Sequence, residues 1–280
     1  MRRAAAAFAA AVLACACAGH APAGAPPSAP RIVSLAPSLT EIAYAIGCGP
    51  QLVGDTLYDD YPEAARRLPH VADLTHVDLE RLSQLAPTAI LALHDQESEG
   101  SAISRVMRGA GVQYLPNRNL ADLYTDVAGV GHACGRDRQA QAFDAQMRRS
   151  IGRIAGQAAR ARTRPRVLYL LGLPGFTAGR QSYLSDLIAL AGGINVAGNV
   201  DQPYPNLSAE AIVAMDPDVL IVARDTPFGP DVRAREPWRS MRAVHDGEVF
   251  SPPNDDVLER PGPRVVQGLA WLAHALHSRD

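Results

Sequence analysis

Val77-Asp78-Leu79-Glu80-Arg81-Leu82-Ser83-Gln84-Leu85-Ala86-Pro87 returns later in the chain as Leu207-Ser208-Ala209-Glu210-Ala211-Ile212-Val213-Ala214-Met215-Asp216-Pro217. In both copies a glutamate, the apolar positions and a closing proline fall in the same places, and an apolar run follows. The spacing predicts a short helix that packs one face and ends at the proline, which has no N–H to continue it, and then a buried strand. Arg31-Ile32-Val33-Ser34-Leu35 and Arg166-Val167-Leu168-Tyr169-Leu170 also correspond in order, one opening each half. A chain that repeats such a unit folds as two similar α/β lobes.

Working outward, apolar runs at 31–35, 88–93, 112–115, 166–171, 218–223 and 248–251 predict strands, with helices in most of the gaps. Between the halves, 136–162 holds no proline and sets Phe143, Met147, Ile151, Ile154 and Ala158 at helical spacing. That pattern predicts one long connecting helix, with Arg148, Arg149, Arg153 and Arg160 on its solvated face. The organisation expected is a signal peptide and flexible leash at 1–30, an N-terminal lobe at 31–135, the connecting helix at 136–162 and a C-terminal lobe at 163–280. Open α/β sheets bind ligands at the carboxyl ends of their strands, so the cleft between the lobes is the expected site.

Arg2 and Arg3 precede an apolar run over 4–14, the order of a secretory signal. The run is too short to span a membrane, which takes roughly twenty residues. Val12-Leu13-Ala14-Cys15 is similar to a lipoprotein cleavage site, which makes Cys15 the lipidation candidate; ordinary cleavage after a small residue would instead remove both Cys15 and Cys17. The protein is thus expected in the periplasm, free or held at the membrane by a lipid on Cys15. In that oxidising compartment Cys48 and Cys134 either pair or remain as two half-buried thiols.

The 27 basic residues nearly balance the 29 acidic ones, for a formal charge of -2, so no nucleic-acid or anionic-membrane partner is expected. All 27 are arginine. A phosphate-loop lysine and a lysine Schiff base are therefore excluded. The sequence has no serine elbow and no H-E-x-x-H motif, so a metal-dependent hydrolase built on His76, His94, Asp95 and Asp255 or Asp256 has no catalytic motif behind it. A direct transition-metal binder would need three or four converging ligands.

Several motifs, in order, resemble the periplasmic binding proteins that serve ABC importers of cobalamin, ferric siderophores and haem. They are Arg31 through Ser38 with Thr40-Glu41, Asp60-Tyr61-Pro62, Asp78 through Leu82, Phe176-Thr177-Ala178-Gly179, Ala191 through Val196, and Arg260-Pro261-Gly262-Pro263-Arg264. The vitamin B12-binding variant is the most similar, through Asp256 to Glu259 followed by Arg260, although Val257 and Leu258 stand where aromatic side chains follow the aspartate in that pattern. The resemblance implies a monomeric binding protein that catalyses nothing, has no cofactor of its own and carries a corrinoid, or else a ferric siderophore or haem. It implies that Glu80 and Glu210 dock on the arginines of a two-fold symmetric permease. Tyr58 matches a position facing ligand, and its ring would stack on a macrocycle. Asp256 matches an acidic cleft position and would accept hydrogen bonds from ligand amides, while Arg260 would hold a carboxylate or phosphate, or pair with Glu259 or Asp256. Position at strand ends adds Pro37, Ser38, His76, His94, Asp95, Phe176, Tyr204 and Arg224, with the two histidines as candidate axial ligands.

Overall fold

The computed structural model describes residues 29–73, 76–96, 103, 105, 107 and 109–278; the expected signal segment and Cys15 lie outside them. The first half holds β1 (Ile32–Ser34), β2 (Leu52–Thr56), β3 (His70–Ala72), β4 (Ala89–Leu93) and β5 (Gly111–Leu115), all parallel in the order β3-β2-β1-β4-β5. Its helices include α1 (Pro37–Ala45), α2 (Leu79–Gln84) and α3 (Leu120–Ala133). The chain then passes through α4 (Asp137–Ala158) to the second sheet. That sheet comprises β6 (Arg166–Gly172), β7 (Phe176–Thr177), β8 (Ile194–Asn195), β9 (Val219–Val222) and β10 (Val249–Phe250), in the order β10-β9-β6-β7 with β8 also on β6. Around it lie α5 (Tyr183–Leu190), α6 (Ala209–Ala214), the single turn α7 (Asp256–Glu259) and α8 (Val265–His277).

The repeated stretch folds the same way twice. Asp78 caps α2 by accepting from Arg81 N at 2.9 Å, and Ser208 caps α6 by accepting from Ala211 N at 3.1 Å, each filling an orphan donor of a first turn. Proline disfavours the helical region for the residue before it. Ala86 and Asp216 leave the two helices in the left-handed region, at φ 42° and 43°. The last carbonyls are then met by the arginines that open each half: Arg31 donates to Leu85 O and Arg166 to Met215 O, both at 2.7 Å. The correspondence extends to Arg31 N on Thr88 Oγ1 (3.0 Å) and Arg166 N on Asp218 Oδ2 (2.8 Å).

All six expected strands form. Four further strands were not expected, for physical reasons. β2 reads Leu52-Val53-Gly54-Asp55-Thr56, with residues in its middle that are depleted in strands. At Gly54 a Cβ would press on Leu85 Cδ1 and stand 3.2 Å from Pro69 O. β3, β7 and β8 are two or three residues long, below any readable period.

The helix expected over 136–162 is α4, which ends at Ala158. Its buried stripe is Ala140, Met147, Ile151, Ile154 and Ala158, and it packs between α3 and α8. One apolar cluster runs from Ile32 and Leu39 in the first half through Met147 and Ile154 of α4 to Tyr169, Leu184 and Leu269 in the second. Cys48, beyond the end of α1, and Cys134, at the end of α3, are joined in a buried disulfide with their Cα atoms 6.0 Å apart. At the far end α7 lies on α8 so closely that a Cβ on Gly268 would stand 2.0 Å from Val257 O.

Candidate functional site

The loops beyond the strand carboxyl ends meet between the halves. Because β2 lies on one side of β1 while β4 and β5 lie on the other, they form two hollows. One, of about 460 Å³, takes Asp95, Asn117 and Arg118 from the first half and Gln181 and Tyr204 from the second. The other, of about 380 Å³, takes Asp60 from the first half and Arg224, Asp225, Asp255, Asp256 and Arg260 from the second. A third hollow, of about 400 Å³, lies between α4 and α8, remote from the strand ends and from every expected site residue.

Between the first two hollows the halves are pinned by polar contacts. Asn117, left-handed at φ 44°, donates to Pro261 O at 3.0 Å and to Asp126 Oδ2 at 2.8 Å, and accepts from Ser38 Oγ at 3.2 Å. Arg260 reaches Asp60 Oδ1 at 2.7 Å, Asp256 Oδ1 at 2.9 Å and Glu41 Oε1 at 3.5 Å. Arg264, 6% exposed, grips Glu41, 2% exposed, through both carboxylate oxygens at 2.6 and 2.8 Å. Its guanidinium also lies 3.4 Å from Asp256 and 4.5 Å from the centre of the Tyr61 ring.

The acids here respond to burial and to one another. Burial pushes Glu259 up to about 7, helped by the Asp255 charge and opposed by the Tyr169 hydroxyl, which donates to it at 3.1 Å. Burial likewise raises Asp126 to about 6 against the Asn117 hydrogen bond. Asp55, fully buried and 2.7 Å from His70 Nδ1, is raised by burial and by Asp59. Asp60 is subject to burial, which raises it, but the Arg260 guanidinium outweighs this and leaves it lowered. Asp59 accepts from Thr56 N at 2.9 Å and so fixes the turn that carries Tyr58 and Asp60.

Of the expected site residues, Asp95 and Tyr204 line the first hollow, and Arg224, Asp256 and Arg260 the second. Arg224 donates to Pro253 O at 3.1 Å, and its backbone N–H is held by Asp255. Tyr58 stands 40% exposed, its carbonyl accepting from Arg260 at 3.4 Å. Phe176 and Tyr204, 40% and 41% exposed, have ring centres 6.3 Å apart. Ser38 is buried, and Pro37 opens α1. His76, in the loop after β3, and His94, stacked on Tyr114, line neither hollow. Glu80 and Glu210 are both exposed in the first turns of α2 and α6.

Asp225, Gln181 and Arg118 are lining residues that the sequence does not single out, while Tyr61, 45% exposed, lies over the Arg264 guanidinium and lines neither hollow. Val257 and Leu258 are buried at 8% and 0%, so the departure from the aromatic pattern lies in the core and not on the cleft wall. Among the described residues no three His, Cys, Asp or Glu side chains are placed to hold a metal ion, and no helix is long and apolar enough to cross a membrane.

The sequence matches the family model for periplasmic binding proteins over residues 32–255. A vitamin B12-binding protein of Yersinia pestis (strain Pestoides F) is 29% identical over 251 residues, spanning 90% of this chain and 88% of that one. The crystal structure of the periplasmic vitamin B12-binding protein BtuF of Vibrio cholerae superposes with a TM-score of 0.76 at 26% identity, covering 90% of this chain and 99% of that one. The periplasmic heme-binding protein RhuT of Roseiflexus sp. RS-1 superposes with a TM-score of 0.78 at 28% identity, covering 89% and 98%.

Proposed function

This chain belongs to the periplasmic binding protein family, and from that premise we propose that it captures a corrinoid and delivers it to the permease dimer of an ABC importer. It is a two-lobed periplasmic solute-binding protein of the importer class and not an enzyme. The corrinoid reading rests on one observation above the others, the chemistry of the cleft walls. Tyr204 lines the first hollow, with the exposed Phe176 beside it and the exposed Tyr58 next to Arg260 of the second, and such aromatic rings suit a broad flat ligand. The second hollow sets four carboxylates against two arginines, and both arginines already hold protein oxygens. A macrocycle rimmed with neutral amides supplies donors to such a wall. Haem presents two carboxylates, which the same wall repels. The vitamin B12-binding relatives point the same way.

Haem is the second reading. It is supported by the haem-binding relative and by the exposed tyrosines Tyr58 and Tyr61, since tyrosine is an axial ligand for iron. Thermal melts of the mature protein against cyanocobalamin, cobinamide, ferric siderophores and haem separate the readings. At a hundredfold excess over its dissociation constant the cargo stabilises the fold by about 2.7 kcal/mol, several degrees for a chain of this size. A shift with corrinoids and none with haem is expected; the reverse pattern overturns the corrinoid reading.

Docking through Glu80 and Glu210 is supported by their equivalence. Each sits in the exposed first turn of a helix capped at the same position of the repeat. Two such carboxylates would meet two equivalent arginines of a symmetric permease. Reversing both charges, Glu80→Arg with Glu210→Arg, is expected to cut corrinoid uptake at least tenfold while leaving the ligand-induced melting shift unchanged. Uptake at the unaltered rate refutes the docking role.

A further inference from the structure

We propose that Arg264 is a positioning residue that fixes the width of the cleft without touching the ligand. The inference deepens the solute-capture reading, because the cleft whose width it fixes is the one assigned to cargo above.

Apart from Tyr183 N on Arg118 O at 3.1 Å and Leu120 N on Asp186 Oδ2 at 3.0 Å, which join the starts of α3 and α5, the cross-half hydrogen bonds and ion pairs described above end on residues 256–264: Asp60 on Arg260, Asn117 on Pro261 O, and Glu41 on Arg264 and Arg260. Their exposures differ. Asp60 and Arg260 stand partly open to water, with side chains 46% and 22% exposed, where an ion pair is screened and can exchange for hydration. Arg264 and Glu41 are 7% and 1% exposed at the side chain, and they pair through two nearly parallel bonds. A planar fork on a carboxylate has one geometry, so the separation of α1 from the start of α8 is set by bond lengths and not by an average over rotamers. The same guanidinium reaches Asp256 on the wall of the second hollow and lies beneath the Tyr61 ring, next in the chain to Asp60 of that hollow. Arg264 is therefore joined to both banks of the cleft. Lysine would keep the charge and lose the fork and the stack.

The test uses the protein without ligand, so it stands or falls independently of the identity of the cargo. Spin labels on Arg67→Cys and Arg235→Cys, exposed positions in the two halves, report the separation of the lobes by double electron–electron resonance. The parent should give one narrow distance distribution. Arg264→Lys should widen it, and Arg264→Gln should widen it further or shift its centre. Arg264→Gln leaves Glu41 buried without its partner, so Glu41→Leu with Arg264→Met serves as a second variant that removes both charges and keeps apolar volume. It should fold and still give the widened distribution. An unchanged distribution in the folded variants overturns the proposal and leaves Arg264 a contributor to stability alone. Failure of every corrinoid to bind the parent would instead sink the cargo assignment and leave the distance result standing.

Discussion

Replacing Cys48 and Cys134 together by alanine is expected to lower the stability of the fold by about 4–5 kcal/mol. The disulfide joins residues 86 apart in sequence, so breaking it returns the freedom of a long loop to the unfolded chain. Both cysteines are buried, at 0% and 2%, and alanine keeps the sites apolar, so little of the loss comes from a misplaced polar group. What goes is the tie between the ends of α1 and α3, whose inner faces carry Leu39, Ile42, Leu123 and Val127 into the shared core. For a chain of this size the loss corresponds to a melting temperature about 10 °C lower. Calorimetry with and without a reductant gives the internal control: the reductant should lower the melt of the natural sequence to that of the alanine variant and leave the variant where it is. A difference below about 1 kcal/mol would mean that packing alone holds the two helix ends.

The second large effect is a dependence on pH that runs against the usual acid destabilisation. In the unfolded chain the carboxyls of Glu259 and Asp126 are ionised above about pH 5. In the folded chain Glu259 keeps its proton up to about 7 and Asp126 up to about 6. Between these limits the folded state binds more protons than the unfolded one, so stability falls as pH rises. A shift of one unit is about 1.4 kcal/mol. Above pH 5 the shifts span about two units for Glu259 and one for Asp126, so, discounted by half for solvent near these groups, the two favour pH 5 over pH 8 by about 2 kcal/mol. Asp55, also raised, adds in the same direction. Melts across pH 5 to 8 should decline steadily. Glu259→Gln, which keeps an acceptor for the Tyr169 hydroxyl, should flatten the slope by roughly half. A slope of the opposite sign would mean that these carboxyls are ionised in the folded protein.

Much of the architecture was legible because its determinants are local. The cap, the apolar face and the stopping proline of α2 and α6 lie within eleven residues, and the copies could be compared side by side. α4 was legible for the same reason, its buried stripe recurring at 3.6 residues. Half of the cleft lay at predictable strand ends. The contact of Glu41 with Arg264 crosses 223 positions, and no spacing rule reaches that far. Both residues stood in motifs noted for their resemblance, without a sign that they face each other. Val257 and Leu258 illustrate the converse. They follow Asp256 directly, but in a helical turn the next two side chains point elsewhere, and here they enter the core. Nothing local in the sequence distinguishes the ring of Tyr61, which lies 4.5 Å from the Arg264 guanidinium, from that of Tyr58.

Residues 256–264, which carry the Arg260 and Arg264 contacts to the first half, follow every strand of both sheets in the chain. In chain order both sheets, Cys48, Cys134, Glu80 and Glu210 all come before Arg260, Pro261 and Arg264. The Glu41–Arg264 fork can therefore close only after synthesis has passed residue 264. A chain interrupted after β10 would keep the Tyr183 and Leu120 links between the halves and lose the fork, together with α8 and its share of the common core.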